Sequence, residues 1–164
     1  MDAQMPPLYP LTFTPIYKEK VWGGRQLATQ LGRVLPGDEH TPIGESWELA
    51  DLTQSSASGG GGGQERSVVA NGPLAGCSLH EVIQRYGSRL LGRLHTTETG
   101  GFPLLAKFLD ARENLSVQVH PTAQYVRSHA DAHVKSEAWY VVHAEPGQVR
   151  CSADHSRDCD SQAQ

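Results

Sequence analysis

The sequence predicts a mainly β domain carrying one or two short helices. Three observations support this. Short runs rich in Val, Leu, Phe, Trp and Tyr either alternate with polar residues or are continuously apolar over strand-like lengths. Gly, Pro, Asn and Asp clusters separate those runs. One segment alone has a complete amphipathic helix signature with a capping residue at its start. With 164 residues, of which 38% are hydrophobic and 20% charged, the chain has an ordinary globular composition and enough length for one core.

In chain order, Leu11-Thr-Phe-Thr-Pro-Ile-Tyr17 alternates and reads as a short strand. Pro15 places it at an edge or ends it there, because proline cannot donate to a ladder. Val21-Trp-Gly-Gly24 reads as a tight turn, and residues 25–31 as a brief helix closed by Gly32. Glu45-Ser-Trp-Glu-Leu-Ala-Asp51 returns to period two, with Trp47 and Leu49 on a common face. Residues 55–64 contain an unbroken glycine run at 59–63. With no side chains to pack, they read as a flexible surface loop, and the lysine and hydroxyl of a P-loop are missing. Residues 67–70 form a third strand-like run, ended by the turn signal Asn71-Gly-Pro73.

The helix signature follows. Ser78 and Glu81 match a capping box, and Leu79, Val82, Ile83 and Tyr86 make one apolar stripe before Gly87. Residues 102–111 and 114–121 read as strands joined by Asp110-Ala-Arg-Glu-Asn114 as a hairpin connection. Residues 122–130 read as a short helix capped by Thr122. Residues 138–142 read as another strand with Glu137 at its entrance, and Glu145-Pro-Gly147 as a turn. Residues 151–164 contain no Val, Ile, Leu or aromatic residue and read as a polar disordered tail. Cys151, His155 and Cys159 recur at spacing four there, but three ligands without a fourth favour a plain tail.

Net charge is -4, from 14 basic and 18 acidic side chains, with no basic cluster. This argues against nucleic acid as a partner. Neither a secretory signal nor a membrane-length apolar run is present, so the expected location is the cytoplasm, away from membranes. Three cysteines, Cys77, Cys151 and Cys159, do not make a disulfide framework.

Chemistry concentrates in residues 102–141. Lys107 interrupts an apolar run, and an ammonium buried there requires an anionic partner, either a protein carboxylate or a ligand phosphate. In Ser116-Val-Gln-Val-His120 the alternation of a strand puts Ser116, Gln118 and His120 on one face. Gln118 and His120, roughly 6 to 7 Å apart along the backbone, can converge on one ion, and Glu137 can add a carboxylate oxygen. On spacing alone, a hydrogen-bonded structural histidine is the commoner reading of His120. His143 lies too far along an extended strand from Glu137 to share an ion, and His129 and His133 read as solvated.

These same residues carry a family resemblance. Phe102-Pro-Leu-Leu-Ala-Lys-Phe-Leu-Asp-Ala, Leu-Ser-Val-Gln-Val-His-Pro121 and Lys135-Ser-Glu-Ala-Trp-Tyr-Val141 resemble the zinc-site region of the type I mannose-6-phosphate isomerases, members of the cupin superfamily. Val21-Trp-Gly-Gly24 and Gly44-Glu-Ser-Trp-Glu-Leu-Ala50 resemble that family's N-terminal motifs in the same order. The likeness covers residues 8 to about 147.

The resemblance implies a zinc-dependent aldose–ketose isomerase, interconverting mannose 6-phosphate and fructose 6-phosphate through an enediol. It implies one Zn2+ ion held by Gln118, His120 and Glu137, with Lys107 and Ser116 on the substrate side and Lys135 stabilising charge or relaying a proton. Read blandly, Ser116 is a locally bonded hydroxyl and Lys135 a solvated cation. In the family a further zinc-binding histidine and an arginine come from later strands, whereas nothing after Arg150 has a strand pattern. The expectation is therefore an incomplete cupin-type (jelly-roll) β-barrel over residues 1–150, truncated or frame-shifted into the tail. Its unpaired sheet edges would be open to self-association and its activity impaired. The alternative is a noncatalytic cupin fragment that binds metal or sugar phosphate.

Overall fold

The computed structural model describes residues 5–52, 65–116, 118–129, 132 and 134–147. The chain divides into two compact units, Met1–Val119 and His120–Gln164. The glycine run, the tail with Cys151, His155 and Cys159, and His133 lie outside the described residues.

In the first unit, strand β1 (Ile16–Gly24) leads through helix α1 (Gln26–Leu31) to strand β2 (Ile43–Leu49). A two-residue pair follows, β3 (Asp51–Leu52) and β4 (Glu65–Arg66). Beyond a 3-10 turn at Gly72–Leu74 come helices α2 (Leu79–Tyr86) and α3 (Ser88–Leu91), and then strand β5 (Ala106–Leu109). The main sheet is antiparallel in the order β1-β2-β5, and β3 pairs with β4 separately. The fold is thus mainly β with short helices, and among the described residues no sheet closes into a barrel.

β2 is the central strand, and Ile43, Glu45, Ser46 and Trp47 are all buried in it. A register shift against β1, with Lys18 opposite Glu45 but Glu19 opposite Ile43, re-phases the strand. Ile43 therefore joins Leu27 and Leu35 in one core cluster, flanked by Tyr17, Leu31 and Phe108. A second cluster of Val69, Leu74, Val82 and Tyr86 packs with Tyr9, Leu11 and Phe13. The predicted stripe of α2 is buried as expected, and its capping box is complete: the Glu81 amide donates to Ser78 Oγ at 3.2 Å and the Ser78 amide to Glu81 Oε2 at 2.8 Å.

Several expectations need correction. Val21-Trp-Gly-Gly24 is not a turn but the end of β1. A Cβ at Gly23 would lie 2.8 Å from Gly44 Cα, and one at Gly24 would collide with the Asp110 carboxylate, so these glycines serve close approach rather than reversal. Residues 110–114 do not form a hairpin connection. They run back against β1, with the Gly24 amide donating to the Asp110 carbonyl at 3.1 Å and the Arg112 amide to the Trp22 carbonyl at 2.9 Å. Residues 67–70 form isolated bridges, Phe13 with Val69 and Val68 with Ser78, instead of a strand.

The described residues of 114–121, and all of 138–142, are not strands. Alternation specifies which face a side chain takes, but a strand also needs a hydrogen-bonded neighbour, and neither segment has one among the described residues. α3 was not anticipated, since four residues are too few to display a period.

In the second unit, helix α4 (Ala123–Ser128) is capped by Thr122, whose Oγ1 accepts from the Tyr125 amide at 3.2 Å. No described residue of this unit is fully buried. Among the described residues, no helix is long and apolar enough to cross a membrane.

Candidate active site

Lys107 finds its anion within the protein. It stands opposite Trp47 in the β2–β5 pairing, and its Nζ lies 3.2 Å from Glu45 Oε1. Glu45 Oε2 accepts from Trp47 Nε1 at 2.6 Å. On the other side of β2, Lys18 places its ammonium 4.7 Å from the Trp47 ring centre and pairs with Glu65. One face of the three-stranded sheet thus carries Lys18, Glu45, Lys107 and a buried Trp47, while Glu65 reaches Lys18 from the separate β3–β4 pair. The Glu45 and Lys107 side chains are 7% and 19% exposed. At an effective dielectric constant near 20, charges about 3.2 Å apart attract by roughly 5 kcal/mol. That is comparable to the cost of desolvating them, so the pair fixes geometry more than it adds stability.

Glu45 was not singled out from the sequence, although the signal was there. It shares the parity of Trp47 on a strand with a buried face, and Lys107 was the cation in need of a partner. Asp110 also escaped notice. Its buried carboxylate accepts from the Leu27 amide at 3.1 Å, which caps α1 from 83 residues away in a helix whose own N-cap residue, Arg25, provides no side-chain bond. A third buried acid, Asp51, lies 3.1 Å from His80 Nδ1 and accepts from the Phe102 amide at 2.9 Å. This ties β3 to α2 and to the start of the segment leading into β5.

The second unit brings together His120, Lys135 and Glu137. His120 Nε2 lies 3.4 Å from Glu137 Oε2, and Lys135 Nζ lies 3.3 Å from Glu137 Oε1. Burial pushes the Glu137 carboxyl up. The Lys135 charge and hydrogen bond, a hydrogen bond from Trp139 and the His120 charge outweigh it and hold the group below its ordinary 4.5. His143 pairs instead with Glu145 at 3.3 Å, and His129 stacks on Tyr125. Ser116 and Gln118 belong to the first unit and are exposed. Among the described residues, no group of three or more His, Cys, Asp or Glu side chains is gathered as a metal-ligand set. The imidazole and carboxylate do suit zinc. Two donors bound at about 2.0–2.1 Å in tetrahedral geometry stand about 3.4 Å apart, which is the separation seen here.

The first unit is an antiparallel sheet with a buried acid–lysine pair, and the second carries a histidine–carboxylate–lysine cluster. The family model "Phosphomannose isomerase type I, catalytic domain" matches residues 11–146, and the chain belongs to that family. It is similar to the mannose-6-phosphate isomerase ManA of Bacillus subtilis, with 38% identity over 81% of this chain and 37% of the relative. It is likewise similar to the mannose-6-phosphate isomerase of Streptococcus mutans, with 36% identity over 84% of this chain and 38% of the relative. The crystal structure of the Bacillus subtilis mannose 6-phosphate isomerase superposes with a TM-score of 0.55 at 33% identity, covering 76% of this chain and 34% of that one. The chain therefore spans well under half the length of the relatives it matches.

Proposed function

We propose that this chain carries part of a zinc-dependent mannose-6-phosphate isomerase, interconverting mannose 6-phosphate and fructose 6-phosphate. The observation that carries the reading is the match of residues 11–146 to the family's catalytic domain. The adjacent His120 and Glu137 donors support it. His120 and Glu137, with Gln118, would hold the ion, which when bound supplies positive charge against the negative charge that develops in the enediol. The chain's own residues bind and move protons. Lys135, held beside Glu137, stabilises charge or relays a proton between the two carbons. Lys107, fixed by Glu45, and Ser116 would offer an ammonium and a hydroxyl to the phosphate. The pair with Glu45 keeps Lys107 oriented before substrate arrives. The expected substrate is a small sugar phosphate and the expected compartment the cytoplasm.

A second reading rests on the paired donors His120 and Glu137, which can bind an ion without turning a substrate over: a noncatalytic cupin fragment that binds metal or sugar phosphate. Zinc content of the purified protein, measured beside turnover of mannose 6-phosphate, separates the two. One zinc per chain with turnover supports the isomerase, and zinc without turnover supports the binder. The His120→Ala and Glu137→Gln variants are expected to lose the metal, and retention of stoichiometric zinc in both would remove the ligand assignment.

A further inference from the structure

Residues 6–14 lie as a strap against the core cluster to which Val82 and Tyr86 of α2 belong, with Leu8, Tyr9, Leu11 and Phe13 packed on it. Prolines at 6, 7 and 10 leave the strap few N–H groups with which to hold on. Its carbonyls hold instead: that of Pro6 accepts from the Tyr86 hydroxyl at 2.7 Å, that of Thr12 from the Ala70 amide at 2.8 Å and that of Pro10 from Asn71 Nδ2 at 3.0 Å. Asn71 grips the strap at two further points. Its Oδ1 accepts from the Thr12 amide at 2.9 Å, and its own carbonyl accepts from the Tyr9 hydroxyl at 2.8 Å.

Asn71 is followed by Gly72, and asparagine is chemically most labile before glycine, because no side chain shields the next amide nitrogen from the side-chain carbonyl carbon. Gly72 is exposed, and its amide donates to no acceptor among the described residues. We propose that Asn71 is a modification site, converted to aspartate or isoaspartate when the strap lifts, and that the conversion keeps the strap from returning. The Gly72 nitrogen bonds to Asn71 Cγ and gives up its proton, the Cγ–Nδ2 bond breaks, ammonia leaves, and solvent water opens the cyclic imide at one of its two carbonyls. While the strap is docked, the bonds to Thr12 and Pro10 pin the side-chain amide. The reaction therefore waits for local opening. Once it has run, a carboxylate oxygen faces the Pro10 carbonyl where Nδ2 donated, and two acceptors meet with no proton between them. Isoaspartate also lengthens the backbone by one methylene.

The test incubates the full chain at mildly alkaline pH, beside the same chain unfolded in urea, and follows residue 71 by peptide mass mapping. Conversion is expected to be about tenfold or more slower in the folded chain, where only the open fraction reacts. It is expected to quicken about threefold or more in Tyr9→Phe, which removes the hydroxyl's bonds to the Asn71 carbonyl and the Leu74 amide. In Asn71→Asp the amides of Thr12 and Ala70 are expected to exchange about tenfold faster, while those of α2 keep their protection. The proposal is overturned if folded and unfolded chains convert equally fast, if Tyr9→Phe converts no faster than the unaltered chain, or if Asn71→Asp leaves Thr12 and Ala70 as protected as before. Loss of α2 protection in Asn71→Asp overturns it as well, because the release is confined to the strap.

Discussion

Glu45 and Lys107 show how one cross-strand pair organises a site. Each is satisfied by the other, and Glu45 is additionally held by Trp47, so the tryptophan indole, the carboxylate and the ammonium form one bonded unit on the buried face of β2 and β5. Removing one member strands the other in a desolvated place. Lys107→Ala is expected to cost about 3 kcal/mol in urea unfolding, while a Glu45→Gln, Lys107→Met double variant recovers part of that loss because no charge remains to be desolvated. A double variant less stable than either single one would show that the pair is not coupled. The need of Lys107 for an anion was legible in its apolar surroundings. Which anion was not, because Glu45 and Lys107 are 62 positions apart and meet only through strand register.

Among the elements, α2 was the most legible because its determinants are local. The capping residue, its reciprocal glutamate, the apolar stripe and the terminating glycine all lie within ten positions, and all take their predicted places. The box also has a pH signature. Hydrogen bonds from the Ser78 backbone and side chain lower the Glu81 carboxyl below 4.5. Its contribution is therefore fully present above the unfolded value and is lost as pH falls through the lower folded value. Helical signal from α2 is expected to weaken on acidification below about pH 4.5 and to be flatter with pH in Glu81→Gln. Identical acid profiles for the two proteins would contradict the assignment. α1 is the opposite case: its cap comes from Asp110, and no sequence window around residues 25–31 contains that information. Residues 114–121 and 138–142 misled for the same reason, since alternation and apolar composition specify faces without providing a ladder partner.

Across the whole molecule, burial is concentrated in Met1–Val119. Among the described residues, both core clusters and every buried acid belong to it, and none of those in His120–Gln164 is fully buried. Opening free energies follow buried contacts, so the slowest-exchanging amides are expected in β2 and α2, and those of residues 123–129 and 134–142 are expected to exchange within the dead time of the measurement in the isolated chain. Protection in the second unit equal to that of β2 would refute this. The sequence by itself determined the mainly β character, the capped helix and the family. Those depend on composition, short spacings and ordered motifs, which are written along the chain. Only the tertiary structure decided that Glu45 holds Lys107, that Asp110 caps α1, that His120 and Glu137 stand side by side, and that the described residues of the strand-like runs near 118 and 140 join no sheet. Each of these depends on which distant segment lies alongside, and that is set by packing and by the full accounting of backbone hydrogen bonds rather than by any local pattern.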